Sequence, residues 1–405
     1  VTTKSDPAVP AVAADVQPAQ RNIAIDAYRG FVMLLMMGEV LNFAHLGRAY
    51  PNNWLAQILA YNQDHVQWAG CSLHDMIQPS FSFLVGVALP YSIASRMARG
   101  GTMGKLCLHA LWRAFLLAAL GIFLRSMDST MTNFTFEDTL TQIGLGYPFL
   151  FLLGFAKPKW QWTAFGVIVF GYWLAWALYP VPGPGFDYAA VGVPANWNHL
   201  YTGFMAHWNK NANLGQAFDL WFLNLFPRVK PFLYNGGGYL TLSFIPTLGT
   251  MLLGLAAGRW VRGAAPAIPY KKLLPASAIG IAAGLALHFG GVCPVVKRIW
   301  TPSWTLFSGG VCFLFLAAFS YVIQTKGYRK WAFPLVVIGM NSIAAYMIAH
   351  LLGGFIVSSL HIHLGPNFFR FAGDGLAPTV QGAVVLFCLW LVLFWMYRRK
   401  LFLKI

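Results

Sequence analysis

Residues 305–324 read TLFSGGVCFLFLAAFSYVIQ, twenty positions without one Asp, Glu, Lys, Arg or His. A helix rises about 1.5 Å per residue, so this stretch extends about 30 Å, the depth of a bilayer's hydrocarbon core. Nine further mostly apolar stretches lie at roughly 30–49, 77–96, 106–125, 140–156, 161–180, 239–258, 273–291, 332–357 and 379–397. The expected fold is therefore all-α, a polytopic membrane helix bundle of about ten transmembrane helices. Composition points the same way, with 58% of the 405 residues apolar and only 10% charged. Ordinary soluble proteins carry about 25% charged residues. The formal charge of +16 would suggest nucleic acid on a soluble protein, but a chain this apolar has no solvated basic surface of that size. Its cations belong in cytoplasmic loops instead. Five Cys without a CxxC or Cys/His spacing make neither a disulfide framework nor a metal site.

Orientation follows from charge. With the N-terminus in the cytoplasm, twenty of the 28 Lys and Arg fall in cytoplasmic segments, which predicts both termini there. Residues 1–21 are rich in Ala, Pro and Val without the continuous apolar run of a signal peptide, and read as a flexible cytoplasmic tail. Residues 22–405 form the membrane domain. Most Asp, Glu and His fall in or beside outer-face loops, the longest of which covers about 181–238 and includes NWNHLYTGFMAHWNKNANLGQAFDLWF at 196–222. A loop of that length is usually functional or a small folded cap.

Four groups of polar residues stand out. Asp26, Tyr28 and Arg29 lie at the cytoplasmic start of the first span; Asp26 and Arg29 share a helical face, as an interfacial ion pair or as lining for an anionic ligand. Glu39 sits near the outer end of the apolar run FVMLLMMGEVL, where an ionisable group is costly and marks a bundle interior or wet cavity, and Asn42 follows three residues later. The segment DHVQWAGCSLHDMIQPSFSFLVGVALPYS concentrates Asp64, His65, His74 and Asp75 just before the second span. A histidine beside a carboxylate is a general-base arrangement, and spacing does not choose between His65 and His74. Late in the chain Ser342, Tyr346 and His350 recur every fourth residue on one helical face, with Asn341 adjacent. Lys297 and Arg298 neighbour Trp300 and Trp304, the pattern of an interfacial aromatic belt.

Several of these segments resemble the transmembrane catalytic region of the heparan-alpha-glucosaminide N-acetyltransferase family, including its bacterial relatives. IAIDAYRGFVMLLMM at 23–37 is similar to the family's first core span. HVQWAGCSLHDMIQPSFSFLVG at 65–86 is similar to the block in which a histidine precedes W-x-G and an Asp opens the next span. TLTQIGLGYPFLF resembles the L-Q-R-x-G segment, keeping Gln142 but with Ile143 where Arg is usual. NLGQAFDLWFL (with Asp219), TLGTMLLGLAAG, CPVVKRIWTPSW and GMNSIAAYMIAH continue the resemblance in order. Another departure is Glu39, upstream of an Asn42 displaced from the family's usual Asn.

The resemblance implies an acyltransferase that moves an acetyl group from cytoplasmic acetyl-CoA to an amino sugar or related glycan on the far side. It singles out His65 rather than His74 as general base or acyl carrier, with Asp75 beside it; Asn42 and Glu39 are the further expected catalytic residues, on their place at the outer end of the first span. Asp26, Tyr28, Arg29, Lys297, Trp304, Asn341, Ser342 and His350 are the expected cofactor-side residues. Acetyl-CoA is the co-substrate and no metal is expected. The expected location is a bacterial inner membrane, with the acceptor site facing the periplasm. Expected partners are the glycan acceptor and membrane lipids, with a homodimer as the assembly to test and no nucleic acid. The competing reading is a proton-coupled transporter or flippase built on Glu39 and the histidines.

Overall fold

The computed structural model describes residues 22–403, so the tail expected at 1–21 lies outside the described residues. Fourteen α-helices follow one another: α1 (Ile23–Met37), α2 (Phe43–Ala49), α3 (Trp54–Gln63), α4 (Ile77–Met97), α5 (Met103–Ser126), α6 (Thr139–Phe155), α7 (Pro158–Leu178), α8 (Leu214–Phe222), α9 (Phe244–Ala264), α10 (Tyr270–Phe289), α11 (Pro302–Ser320), α12 (Phe333–Met340), α13 (Ser342–Leu364) and α14 (Ala377–Arg398). Among the described residues there is no strand, only an isolated antiparallel bridge between Ala69 and Val296. The fold is an all-α polytopic bundle.

All ten apolar stretches are helical, but not all are uninterrupted spans. Among the described residues, eight helices are long and apolar enough to cross a bilayer, or nine if a bent pair counts as one. That pair is Ile23–Leu41 with Phe43–Ala49, bent by 49°. The break is at Asn42, which takes a left-handed backbone (φ 50°) and accepts a hydrogen bond from the His45 amide, so it ends one helix and caps the next. The stretch at 332–357 is interrupted at Asn341, between α12 and α13. Helix α6 has only 17 residues. One face, with Leu140, Gln142, Ile143 and Leu150, is buried against its neighbours while Phe149 and Leu152 stay exposed, and its length is at the short end of what crosses a hydrocarbon core.

Helices α4 and α9 form the centre of the bundle, and small residues bring them together. A methyl group on Gly86 would collide with the Met251 carbonyl, and one on Gly254 with the Phe83 carbonyl. Backbones packed this closely are the usual basis of helix association where lipid removes the hydrophobic driving force.

The segment at 181–238, expected to be an outer loop, is folded. Its Asn side chains satisfy backbone rather than solvent. Asn209 pairs with both the amide and carbonyl of Tyr201, and Asn211 donates to the carbonyls of Val191 and Asn235. Beneath it Trp68, Tyr172, Trp176, Trp208 and Leu240 make a buried aromatic cluster with Val296 and Ile299. That cluster holds the loop that carries His65.

Candidate active site

His65 lies on an irregular segment between α3 and the short 3-10 turn His74–Met76 that leads into α4. Several unrelated contacts fix this segment. Gly70, at φ 124°, donates its amide to Val295, which brings the segment alongside residues 293–301. Trp68 is fully buried and donates its indole N–H to the Trp208 carbonyl at 3.1 Å. Arg298 reaches the Val66 carbonyl at 3.3 Å and the Gly237 carbonyl at 2.9 Å. The long-range bridge between 69 and 296 therefore sets His65 against Lys297, two residues 232 positions apart.

Asp75 is buried and its carboxylate is fully engaged. Oδ1 is 2.8 Å from His65 Nδ1 and 3.4 Å from Lys297 Nζ. Oδ2 accepts from the amides of Val66 and Ser72 and from the Ser72 hydroxyl. With Nδ1 turned to the carboxylate, the hydrogen sits on Nδ1 and the lone pair on Nε2, the tautomer a general base needs. Lys297 Nζ lies 3.1 Å from Nδ1 and 3.4 Å from Nε2 of the same ring. Burial pushes the His65 imidazole below its ordinary range, with the Asp75 hydrogen bond opposing and the Lys297 charge assisting. The ring is therefore neutral at pH 7. Burial likewise brings the Lys297 ammonium down to about 8, against the pull of Asp75.

A second pair stands beside the first. His74 Nε2 is 3.0 Å from Glu39 Oε1, and the His65 and His74 ring centroids are 4.6 Å apart. These groups line a cavity of about 460 Å³ at the end of the bundle expected from the sequence to be the outer one, together with Tyr239, Tyr346, His350, Arg125, Asp128, Glu137 and Asp138. Asp138 also caps α6, accepting from the amides of Leu140 and Thr141. Burial raises both Glu137 and Asp138 above the usual carboxylate range.

A cavity of about 340 Å³ opens at the other end of the same helices. It is lined by Arg29, Arg96 and Arg113, by apolar side chains such as Phe81, Leu84 and Leu117, and by Ser342; no Asp or Glu stands among its described lining residues, and Asp26 lies 3.4 Å from Arg29. Arg96 contacts His109 at 2.7 Å, and Arg113 packs over the Tyr147 ring with its Nε buried and unpartnered. Helices α1, α4, α5, α6 and α13 line both cavities. On α5 the inner one reaches Leu117 and the outer one begins at Gly121, about 6 Å apart along the axis.

The residues singled out in the sequence divide among these places. His65, Asp75, Glu39 and Lys297 come together with His350 at the outer cavity, so Lys297 and His350 stand apart from the inner arginines. Arg29 and Ser342 line the inner cavity, and Asp26 is within 3.4 Å of Arg29. Asn42 faces a third, separate cavity beside His45 and Gly382. Tyr28 is enclosed and donates to Ser80 Oγ at 2.9 Å; Trp304 is likewise fully buried. Asn341 secures the C-terminal segment through Leu401 and Leu403. Cys71 and Cys293 are free thiols. Arg96 and Arg113 appear in the sequence only as loop-side cations, and nothing local marks them as converging with Arg29.

No family model matches the chain. It is 24% identical to the human "Heparan-alpha-glucosaminide N-acetyltransferase" over an alignment covering 96% of this chain and 62% of that protein. The mouse protein of the same name is 23% identical, over 100% of this chain and 64% of its own length. The chain thus spans somewhat under two thirds of these curated relatives. Over essentially its whole length the chain is similar to these two heparan-alpha-glucosaminide N-acetyltransferases.

Proposed function

We propose that this chain is an integral-membrane acetyltransferase that carries the acetyl group of cytoplasmic acetyl-CoA to the amine of an amino sugar or related glycan on the outer side. One observation carries the reading. The same five helices line a cavity with three arginines at one end and a cavity with a His–Asp–Lys cluster at the other, one helical turn of side chains apart. Three arginines suit the phosphates of a CoA, since guanidinium groups bind phosphate oxygens in pairs. The pantetheine arm would extend along α5 toward His65. His65 Nε2 takes the proton of the attacking nitrogen while Asp75 fixes the ring, and the Lys297 ammonium stabilises the oxygen that becomes negative at the thioester carbon. The acceptor site then faces the periplasm and both termini the cytoplasm, as the charge distribution along the chain suggests.

The test is acetyl-CoA binding to detergent-purified protein by thermal shift and calorimetry, with acetate as control, followed by transfer of labelled acetyl to glucosamine. Ligand that binds the native state raises its melting temperature. His65→Ala is expected to keep acetyl-CoA binding and lose transfer by about 10²-fold or more. Absence of binding by monodisperse protein would remove this reading. Ping-pong kinetics with an isolable acetyl-His65 would replace direct transfer by an acyl-enzyme route.

A further inference from the structure

The outer cavity holds two histidine–carboxylate pairs, and the transfer step uses only one. The balanced reaction is R–NH₃⁺ + CH₃CO–S–CoA → R–NH–CO–CH₃ + CoA–SH + H⁺. The N–C bond forms and the C–S bond breaks. The ammonium gives up two protons, one to the departing thiolate and one to solvent. His65 takes the proton of the attacking nitrogen and returns it to the thiolate, so the other proton needs a different exit.

The second pair has the geometry for it. His74 is 5% exposed, whereas the Glu39 side chain is 60% exposed. The His74 ring lies 4.6 Å from that of His65 and reaches Glu39 Oε1 at 3.0 Å. A buried base beside the reacting centre is thus joined to an open carboxylate. The cavity is also suited to a cation, with Glu39, Asp128, Glu137 and Asp138 on its walls against Arg125 and Lys297. His65, His350 and Tyr346 share it, and Asp75 is the chain neighbour of His74. Resting on the acetyl-transfer reading, we propose that His74 and Glu39 form a proton-exit relay, and that the acceptor enters as a protonated amine and loses its first proton through them to the outer face.

The test compares two acceptors. Glucosamine is largely protonated at about pH 6.5, whereas the aniline nitrogen of a p-aminophenyl glycoside is neutral there and needs no first deprotonation. His74→Gln and Glu39→Gln are expected to lower kcat on glucosamine about 10-fold or more and on the aniline acceptor by less than about twofold. KM for acetyl-CoA should not change. The defect on glucosamine should fade as pH rises past the acceptor's own pKa, and added imidazole should restore His74→Ala. Equal losses on both acceptors, unmoved by pH and imidazole, would reduce His74 and Glu39 to a structural pair and overturn the relay. Because Glu39 is open, Glu39→Gln decides the matter even if His74 variants do not fold. Wild-type protein that acetylates neither acceptor would instead sink the acetyl-transfer reading itself.

Discussion

Lys297 changes the chemistry expected of His65. Burial is the main reason the His65 imidazole is held below its ordinary range; the Asp75 carboxylate opposes it, and the neighbouring Lys297 ammonium adds to it. The pH dependence follows with a definite sign. Rate rises as His65 loses its proton, at a pH below the ordinary 6.5 of a histidine. It falls as Lys297 loses its proton near 8 and no longer neutralises the developing oxyanion. A bell between these limbs is expected in kcat/KM. Lys297→Met should lower the plateau by about 10²-fold, remove the alkaline limb and move the acid limb upward, since His65 would keep Asp75 and lose the opposing charge. A profile with both limbs unchanged in that variant would show that Lys297 plays no part. Glu39, His65 and Asp75 are legible as residue types in the sequence because ionisable groups near apolar spans are costly. The meeting of Lys297 with His65 and Asp75 is not, because beside Trp300 and Trp304 it has the same local signature as an interfacial anchor.

At the scale of elements, hydropathy identifies helices well and breaks poorly. Each of the ten apolar stretches is helical, since a backbone surrounded by lipid has no other way to satisfy its amides. The breaks at Asn42 and Asn341 are invisible to hydropathy because each is one residue in an otherwise apolar run. Each break has a structural consequence: Asn42 bends the chain and lines a cavity separate from that of His65, and Asn341 anchors the C-terminal segment. Packing is equally specific. Gly254→Leu would force α9 off the Phe83 carbonyl of α4, and the overpacking should cost about 1–3 kcal/mol or more. A marked fall in the melting temperature of detergent-purified protein is the expected readout; an unchanged value would mean that the helices separate freely.

For the whole molecule, the proposed function requires the cavities at the two ends of the five shared helices to act together. Arg113→Ala is expected to weaken acetyl-CoA binding several-fold, with the loss growing as salt is lowered, because screened and unscreened phosphate contacts differ most at low ionic strength. Transfer at saturating acetyl-CoA should survive, since Arg113 is remote from the His65 cluster. A fall in turnover with unchanged binding would place the arginine in the chemistry instead. The sequence alone determined that the chain is a membrane helix bundle, because apolar length and the scarcity of charge are local, additive properties. It also marked the His65–Asp75 block through a resemblance. Only the tertiary structure decided which groups meet. His65 and Lys297 are 232 positions apart and are brought together by one backbone bridge between two loops, and Arg29, Arg96 and Arg113 converge from three helices. Such encounters depend on helix packing and loop closure, and those are set by contacts across the chain that no local pattern encodes.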